Sequence, residues 1–424
     1  MKTLRPGIVV LLLISVCFPG SSDSIAEERR PIAVAGWTEM VDSLRDLPAR
    51  LLAGLPLSMQ SDPQIQQEVA QLALQAFTSS AIDTLGGDPD YPEFLPQIGQ
   101  VLNVGQPNAD TVYRVARVAA DGVYRLRGHR GSLRLANISQ VGNPSEPGAK
   151  NAHARTVLDI NSLQVDEHGR FDVLLSATRP AGYKGDWWHM QSNTSRLLLR
   201  LVSSDWDRER DPTIAIERVD KPARRPRRSA ADLEQHLRQL PAATEFMASL
   251  FIDHVEQLRR DGLVNKLRVF DTSQIGGLAG QFYYEGAYDL RDDEALIVSV
   301  KVPARCVYHS MILTTALYQT TNWYDNHSSL NDSQAHPDPD GVLRIVVSAK
   351  DPGVRNWLDT AGHPTGVIQG RWYQCDSQPV PTIVKVPVAE VRNVLPSSTP
   401  MITPEKRELL IRARRLALQQ RRLW

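Results

Sequence analysis

The chain has 424 residues, 42% hydrophobic and 23% charged, and its 48 Lys and Arg are balanced by 48 Asp and Glu. This is ordinary globular composition and excludes whole-chain disorder. Zero formal charge excludes a global electrostatic drive toward nucleic acid or an anionic membrane. The length calls for two core-sized units or one composite domain with helical additions.

Residues 1–26 read as a secretory signal peptide, which predicts a periplasmic or secreted mature chain. Lys2 and Arg5 form the charged n-region, Ile8 to Phe18 is apolar except for Ser15, and Ser24-Ile25-Ala26 offers a small-x-small cleavage site. The apolar run is too short to span a bilayer as a helix. No later stretch is long enough, so no transmembrane span is expected in the mature chain. Loss of Cys17 leaves Cys306 and Cys375, which an oxidising compartment permits to pair. Two separate buried thiols are the alternative.

Residues 27–100 read as an N-terminal helical region. One amphipathic helix covers 37–53. A second is capped by Ser61, has Asp62 and Pro63 in its first turn, and ends at Gly86-Gly87. The period then changes to two. A first β region, 101–220, holds a hairpin signal (Tyr113–Ala119 and Val123–Gly128 joined by Ala120-Asp121-Gly122) and strand-like runs at 132–138, 170–177, 196–202 and 213–219. Residues 221–270 combine a basic, Pro-broken linker with a helix capped by Ser229, interrupted at Pro241 and resumed through Leu258. A Gly-rich turn at 275–280 opens a second β region, 271–396, with runs at 295–302, 308–318, 342–349, 367–372 and 382–388. A basic C-terminal helix follows in 397–424, with Pro404 at its first position. Its face suits either docking on the protein or contact with anionic lipid. The predicted fold class is therefore α+β: an antiparallel β-sandwich-like body with N-terminal, mid-chain and C-terminal helical additions. No repeat appears at a solenoid or propeller period.

Sequence motifs for a Ser hydrolase elbow, a zinc protease, a P-loop or a dinucleotide fold are absent. Two polar segments stand out instead. Upstream, Asn108, Asp110, Thr111 and Tyr113 either present an amide, a carboxylate and a phenol to a ligand or tie a turn. Downstream, the loop from Asp351 to His363 offers Asp359 and His363 as an acid/base pair, with Arg355 or Arg371 to bind an anion. The structural alternative uses Asp351-Pro352-Gly353 as turn chemistry, Trp357 as a core plug and Arg371 as a partner for Asp359. Tyr324, Asn331 and Trp357 complete the candidate ligand-binding set. In the aromatic doublets Trp187-Trp188, Tyr283-Tyr284, Trp323-Tyr324 and Trp372-Tyr373, a strand gives only one member to any one face.

Ser329-Leu330-Asn331, Asp340-Gly341, the 351–363 loop and Gly370-Arg371-Trp372 together resemble the C-terminal signature of the domain of unknown function 1214 family. Pro107-Asn108-Ala109-Asp110-Thr111-Val112-Tyr113 is similar to an element found upstream of it and in the related 1254 family. The resemblance implies a β-sandwich-like body common in exported bacterial proteins, and no settled reaction. The expectation is an exported envelope protein binding a small organic ligand (sugar, steroid, aromatic or lipid-like) in a cleft bordered by β-strand loops. Residues 108–113 and 351–363 are expected to share that cleft. The alternative is a metal-independent hydrolase or lyase using Asp359 and His363. No cofactor, metal or nucleic-acid partner is expected.

Overall fold

The computed structural model describes residues 33–142, 154–271, 278 and 280–421; the expected signal peptide and most of the Gly-rich turn lie outside them. The fold is α+β, dominated by antiparallel sheet, with helices at the N-terminus, in mid-chain and at the C-terminus. Four helices come first: α1 (Trp37–Arg45), α2 (Leu47–Ala53), α3 (Leu57–Gln60) and α4 (Pro63–Gly86). The cap of α4 is Asp62, not Ser61; its carboxylate accepts from the Gln64 N–H with Pro63 at the first helical position.

Nine strands follow: β1 (Leu95–Pro96), β2 (Thr111–Arg117), β3 (Tyr124–His129), β4 (Leu135–Gly142), β5 (Ala154–Asp159), β6 (Arg170–Ser176), β7 (Asp186–His189), β8 (Thr194–Val202) and β9 (Thr213–Arg218). They build a sandwich of sheets β1-β2-β8-β4-β5 and β7-β6-β3-β9 around Leu126, Ile138, Val173 and Leu199. After α5 (Ala230–Ser249) and α6 (His254–Arg260) come nine more: β10 (Arg268–Phe270), β11 (Gln281–Asp289), β12 (Glu294–Lys301), β13 (Cys306–Leu313), β14 (Ser329–Asn331), β15 (Val342–Ser348), β16 (Trp357–Asp359), β17 (Thr365–Cys375) and β18 (Thr382–Pro387). Sheets β10-β11-β17-β13-β14 and β16-β15-β12-β18 enclose Leu296, Val298, Ile368 and Trp372. Short α7 (Val391–Val394) and α8 (Pro404–Gln419) close the chain.

The second sandwich repeats the first strand for strand. Adding nine to each strand number converts one sheet order into the other, and the one parallel pair of each half, β6 with β7 and β15 with β16, falls at the same place. A local device recurs with it. Ser176 Oγ donates to Thr178 O and accepts from Trp187 Nε1, while Ser348 Oγ donates to Lys350 O and accepts from Trp357 Nε1. The repeat unit is a whole sandwich, so no short period betrays it.

Two expectations change. β2 and β3 do not form a hairpin: β2 is flanked by β1 and β8, and β3 by β6 and β9. The turn at Gly122 exists, closed by its N–H to Ala119 O, but it carries the chain from one sheet to the other, because both edges of β2 are already occupied. Pro241 does not interrupt α5, which continues to Ser249. The helix has a Ser229–Asp232 capping box and buries Leu240, Thr244 and Ala248; that packing offsets the cost of a proline inside a helix, a lost backbone bond and a ring clash together worth about 3 kcal/mol. The cysteines do pair, Cys306 to Cys375, as register partners across β13 and β17. The C-terminal helix α8 is docked: Arg407, Arg414, Ala417 and Leu418 are buried. Among the described residues no helix is long and apolar enough to cross a membrane.

Candidate functional site

The two five-stranded sheets face each other, and polar residues crowd the seam between them. Leu135 and Val202 of the first half pack on Tyr308 and Tyr373 of the second. Strand alternation sends Tyr284 and Trp372 into the second core, so Tyr283, Arg371 and Tyr373 point to the other face. Register then aligns one polar row on each sheet: Tyr113, Arg200, Asn137 on the first, and Tyr283, Arg371, Ser310, Asn331 on the second. Tyr113 and Tyr283 hold equivalent positions in the repeat, as do Arg200 and Arg371.

Asp110 is the knot of the seam. It is 1% exposed, and its carboxylate accepts from Trp206 Nε1 at 2.8 Å, Asn331 Nδ2 at 2.7 Å and the Tyr308 hydroxyl at 2.5 Å. Burial raises the Asp110 pKa, opposed by those three donors, and burial together with the Asp110 charge holds the Tyr308 phenol well above its ordinary value. Asn108 Nδ2 donates to Tyr308 Oη at 2.9 Å, and the Asn108 N–H to Tyr113 Oη at 3.2 Å. Arg421, just past α8, donates to the Asp110 carbonyl at 2.7 Å and to Leu201 O at 2.9 Å. Every acceptor of this knot is served, so Asn108, Asp110 and Asn331 fasten the two sandwiches together.

Arg371 differs. It is 4% exposed, its Nη2 donates to Gln369 Oε1 at 2.9 Å, and its guanidinium lies 5.3 Å from the Tyr283 ring centre. Among the described residues its Nε has no acceptor and no carboxylate lies within ion-pair distance. Burial works against its charge, but Tyr283, Tyr308, Tyr113 and Asp110 more than offset that and raise its pKa. Arg200 is also close to Tyr113 and Tyr283. Beside Arg371, Ser310 Oγ lies near the Tyr308 phenol without closing a hydrogen bond, and the Asn137 carboxamide does the same at Tyr373. Tyr113 and Tyr324 line an adjoining cavity of about 60 Å³ together with Trp323, Leu418 and Arg421.

The 351–363 loop is placed elsewhere. Asp351 is gripped by Arg407 of α8 at 2.9 Å; the same guanidinium donates to the carbonyls of Val354 and Arg355 and sits 5.1 Å from the Trp357 ring centre. Trp357 is buried against Val354, Val391 and Leu395, and the Arg355 side chain is exposed. The Asp359 carboxylate accepts from the Ala361 N–H at 2.7 Å, and burial raises its pKa. His363 is lowered by burial, opposed by Glu68 of α4. No hydrogen bond joins Asp359 to His363 or to Arg371, and among the described residues none joins 108–113 to 351–363. The structure thus gathers Asn108, Asp110, Tyr113, Asn331 and Arg371 and leaves Asp359, His363, Arg355 and Trp357 apart. No group of three His, Cys, Asp or Glu among the described residues is placed to hold a metal ion.

Of solved structures, an uncharacterized protein from Burkholderia cenocepacia has the same fold. It is 27% identical, superposes with a TM-score of 0.77, and the match covers 84% of this chain and 98% of that one. A protein from Vibrio parahaemolyticus is 12% identical with a TM-score of 0.43, covering 82% of this chain and 100% of that one. No family model matches the chain, and no curated protein does.

Sequence reasoning missed Tyr308 and Arg200, and named Tyr283 only within an aromatic doublet of which one member could face a cleft. The available signal was the recurrence of Tyr113, Trp187 and Arg200 as Tyr283, Trp357 and Arg371, each about 170 residues on. It is thin, because few other positions in the two halves keep the same residue.

Proposed function

We propose that this chain binds a small organic anion in the seam between its two sandwiches, with the anion on Arg371 and the phenols of Tyr113 and Tyr283 beside it. One observation carries the reading: a buried guanidinium that, among the described residues, lacks a carboxylate partner and retains an unsatisfied Nε, flanked by the unsatisfied polar atoms of Ser310 and Asn137. Buried polar groups are nearly always hydrogen-bonded, and a buried charge without a partner is costly, so a complementary group belongs there. A carboxylate suits a planar guanidinium best, because it accepts two parallel N–H bonds. The adjacent phenols favour an aromatic or otherwise flat body on that carboxylate. An exported envelope location and membership of the domain of unknown function 1214 family remain part of the proposal; the Cys306–Cys375 disulfide supports the first. The hydrolase or lyase alternative gains no support, since no hydrogen bond or ion pair joins Asp359 and His363.

Thermal shift of the purified mature chain against matched pairs of aromatic carboxylates and their neutral amides tests this. A ligand at one hundred times its Kd adds about 2.7 kcal/mol of stability, so a cognate acid gives a clear Tm rise. The rise should be absent for the amide and lost in Arg371→Gln. Equal shifts for acid and amide, or an undiminished shift in Arg371→Gln, would refute the assignment.

A further inference from the structure

A separate and larger cavity, about 550 Å³, lies between α4, α5 and the strands β1, β2 and β8. That is ample for a small organic molecule, for which about 300–1,000 Å³ is usual. One part of its lining is apolar: Leu95, Val115, Phe246 and Met247, with Phe246 52% exposed. The other part is charged. Arg117 and Arg196 are direct cross-strand partners on β2 and β8, an arrangement that repels unless an anion lies between them. Asp83 of α4 supplies one. It accepts from Arg117 Nε at 3.1 Å and Nη2 at 2.8 Å, and from Arg196 Nη2 at 3.2 Å. Among the described residues no second carboxylate pairs with either guanidinium, so the cluster keeps one uncompensated positive charge.

A second observation points to the same occupant. Ser80 and Thr84, one helical turn apart on α4, line this cavity at 5% and 6% exposure. Their hydroxyls make no hydrogen bond with the described residues, whereas the neighbouring Thr78 bonds Leu74 O and Ser79 bonds Gln97 O. The Ser80 and Thr84 oxygens open into the cavity instead of returning to the carbonyl four residues back, so both are free to donate there.

We propose that this cavity binds a monocarboxylate with an aliphatic body, a medium-chain fatty acid. The carboxylate completes a neutral set of two guanidiniums and two carboxylates and takes up the spare hydroxyls of Ser80 and Thr84. The chain lies against Leu95, Val115, Met247 and Phe246. This site is distinct from the seam, and Arg371 has no part in it.

Isothermal titration of the full mature chain with decanoate and 1-decanol tests it. Decanoate should bind at least about tenfold more tightly than the alcohol, as a charge-assisted pair requires. Arg196→Gln leaves Asp83 on Arg117, so it should fold; it should weaken decanoate about tenfold and leave decanol unchanged. Ala243→Trp places an indole in the cavity from an exposed position of α5 and should abolish both. Arg371→Gln should bind decanoate like the parent. No heat from decanoate, equal affinity for the alcohol, or undiminished binding in Ala243→Trp would overturn the proposal. Loss of decanoate binding in Arg371→Gln alone would move the ligand to the seam and overturn it while leaving the seam reading standing.

Discussion

Asp110→Ala removes the acceptor shared by three buried donors, Trp206 Nε1, Asn331 Nδ2 and the Tyr308 hydroxyl. A buried donor left without a partner costs about 1–3 kcal/mol. Asn331 keeps Ser204 O at 2.9 Å and so falls at the low end; the three together come to about 4 kcal/mol. Tyr308→Phe leaves Asp110 two donors, and Asn108 Nδ2 still reaches Thr111 Oγ1 at 3.1 Å, so its cost is about 1–2 kcal/mol. In the double variant the Tyr308 donor cannot be stranded twice, which makes the pair less damaging than the sum by about 1.5 kcal/mol. Urea unfolding followed by tryptophan fluorescence measures all four corners of the cycle. The knot joins the two sandwiches, so Asp110→Ala should also separate one unfolding transition into two. pH adds a further check. A carboxyl raised in the folded state subtracts stability once pH exceeds its unfolded pKa, and fully so above its folded pKa. The parent should therefore lose ground to Asp110→Asn as pH rises through the acid range. A cost under about 1 kcal/mol for Asp110→Ala, or no coupling with Tyr308→Phe, would refute the knot.

Three further outcomes are expected. Oxidised, denatured protein lacking residues 1–26 should show no titratable thiol, and replacing Cys306 and Cys375 by Ser should lower urea stability by up to about 4 kcal/mol, the chain-entropy value for residues 69 apart. Burial holds the His327 imidazole neutral well below its ordinary range, so the unfolded chain takes up a proton that the native one refuses; stability should fall as pH drops below about 6.5, with a shallower slope in His327→Gln. Arg407→Ala strips Asp351 and the carbonyls of Val354 and Arg355 of their donor, which should cost about 3 kcal/mol and speed hydrogen exchange in α8 and the 351–363 loop while β2 and β8 stay protected.

Much of the sheet architecture was legible because long strands buried on one face write period two into the chain. The runs at 170–177, 342–349 and 382–388 became β6, β15 and β18 almost unchanged, and Tyr283-Tyr284 and Trp372-Tyr373 divided between core and seam. Strands of two or three residues, such as β1, β10, β14 and β16, are too short to carry a period. Pairing was not legible either: the turn after Ala119 has hairpin chemistry, yet which edge is free depends on β1 and β8. The 351–363 loop was conspicuous because it is a clamp, and its partner Arg407 lies more than forty residues downstream on a helix. In the seam, Asp110, Asn331 and Arg371 were recognisable by motif. Tyr308 and Arg200 were not, since their role arises from the register of strands distant in sequence.

The most direct measurement is a crystal structure of the protein lacking residues 1–26, grown with the aromatic acid that gives the largest thermal shift. The expected result is density for its carboxylate in the seam, with oxygens about 2.7–3.1 Å from the Arg371 guanidinium and the ring against Tyr113 or Tyr283. A seam holding only water around Arg371, with the acid bound elsewhere or absent, would contradict the assignment.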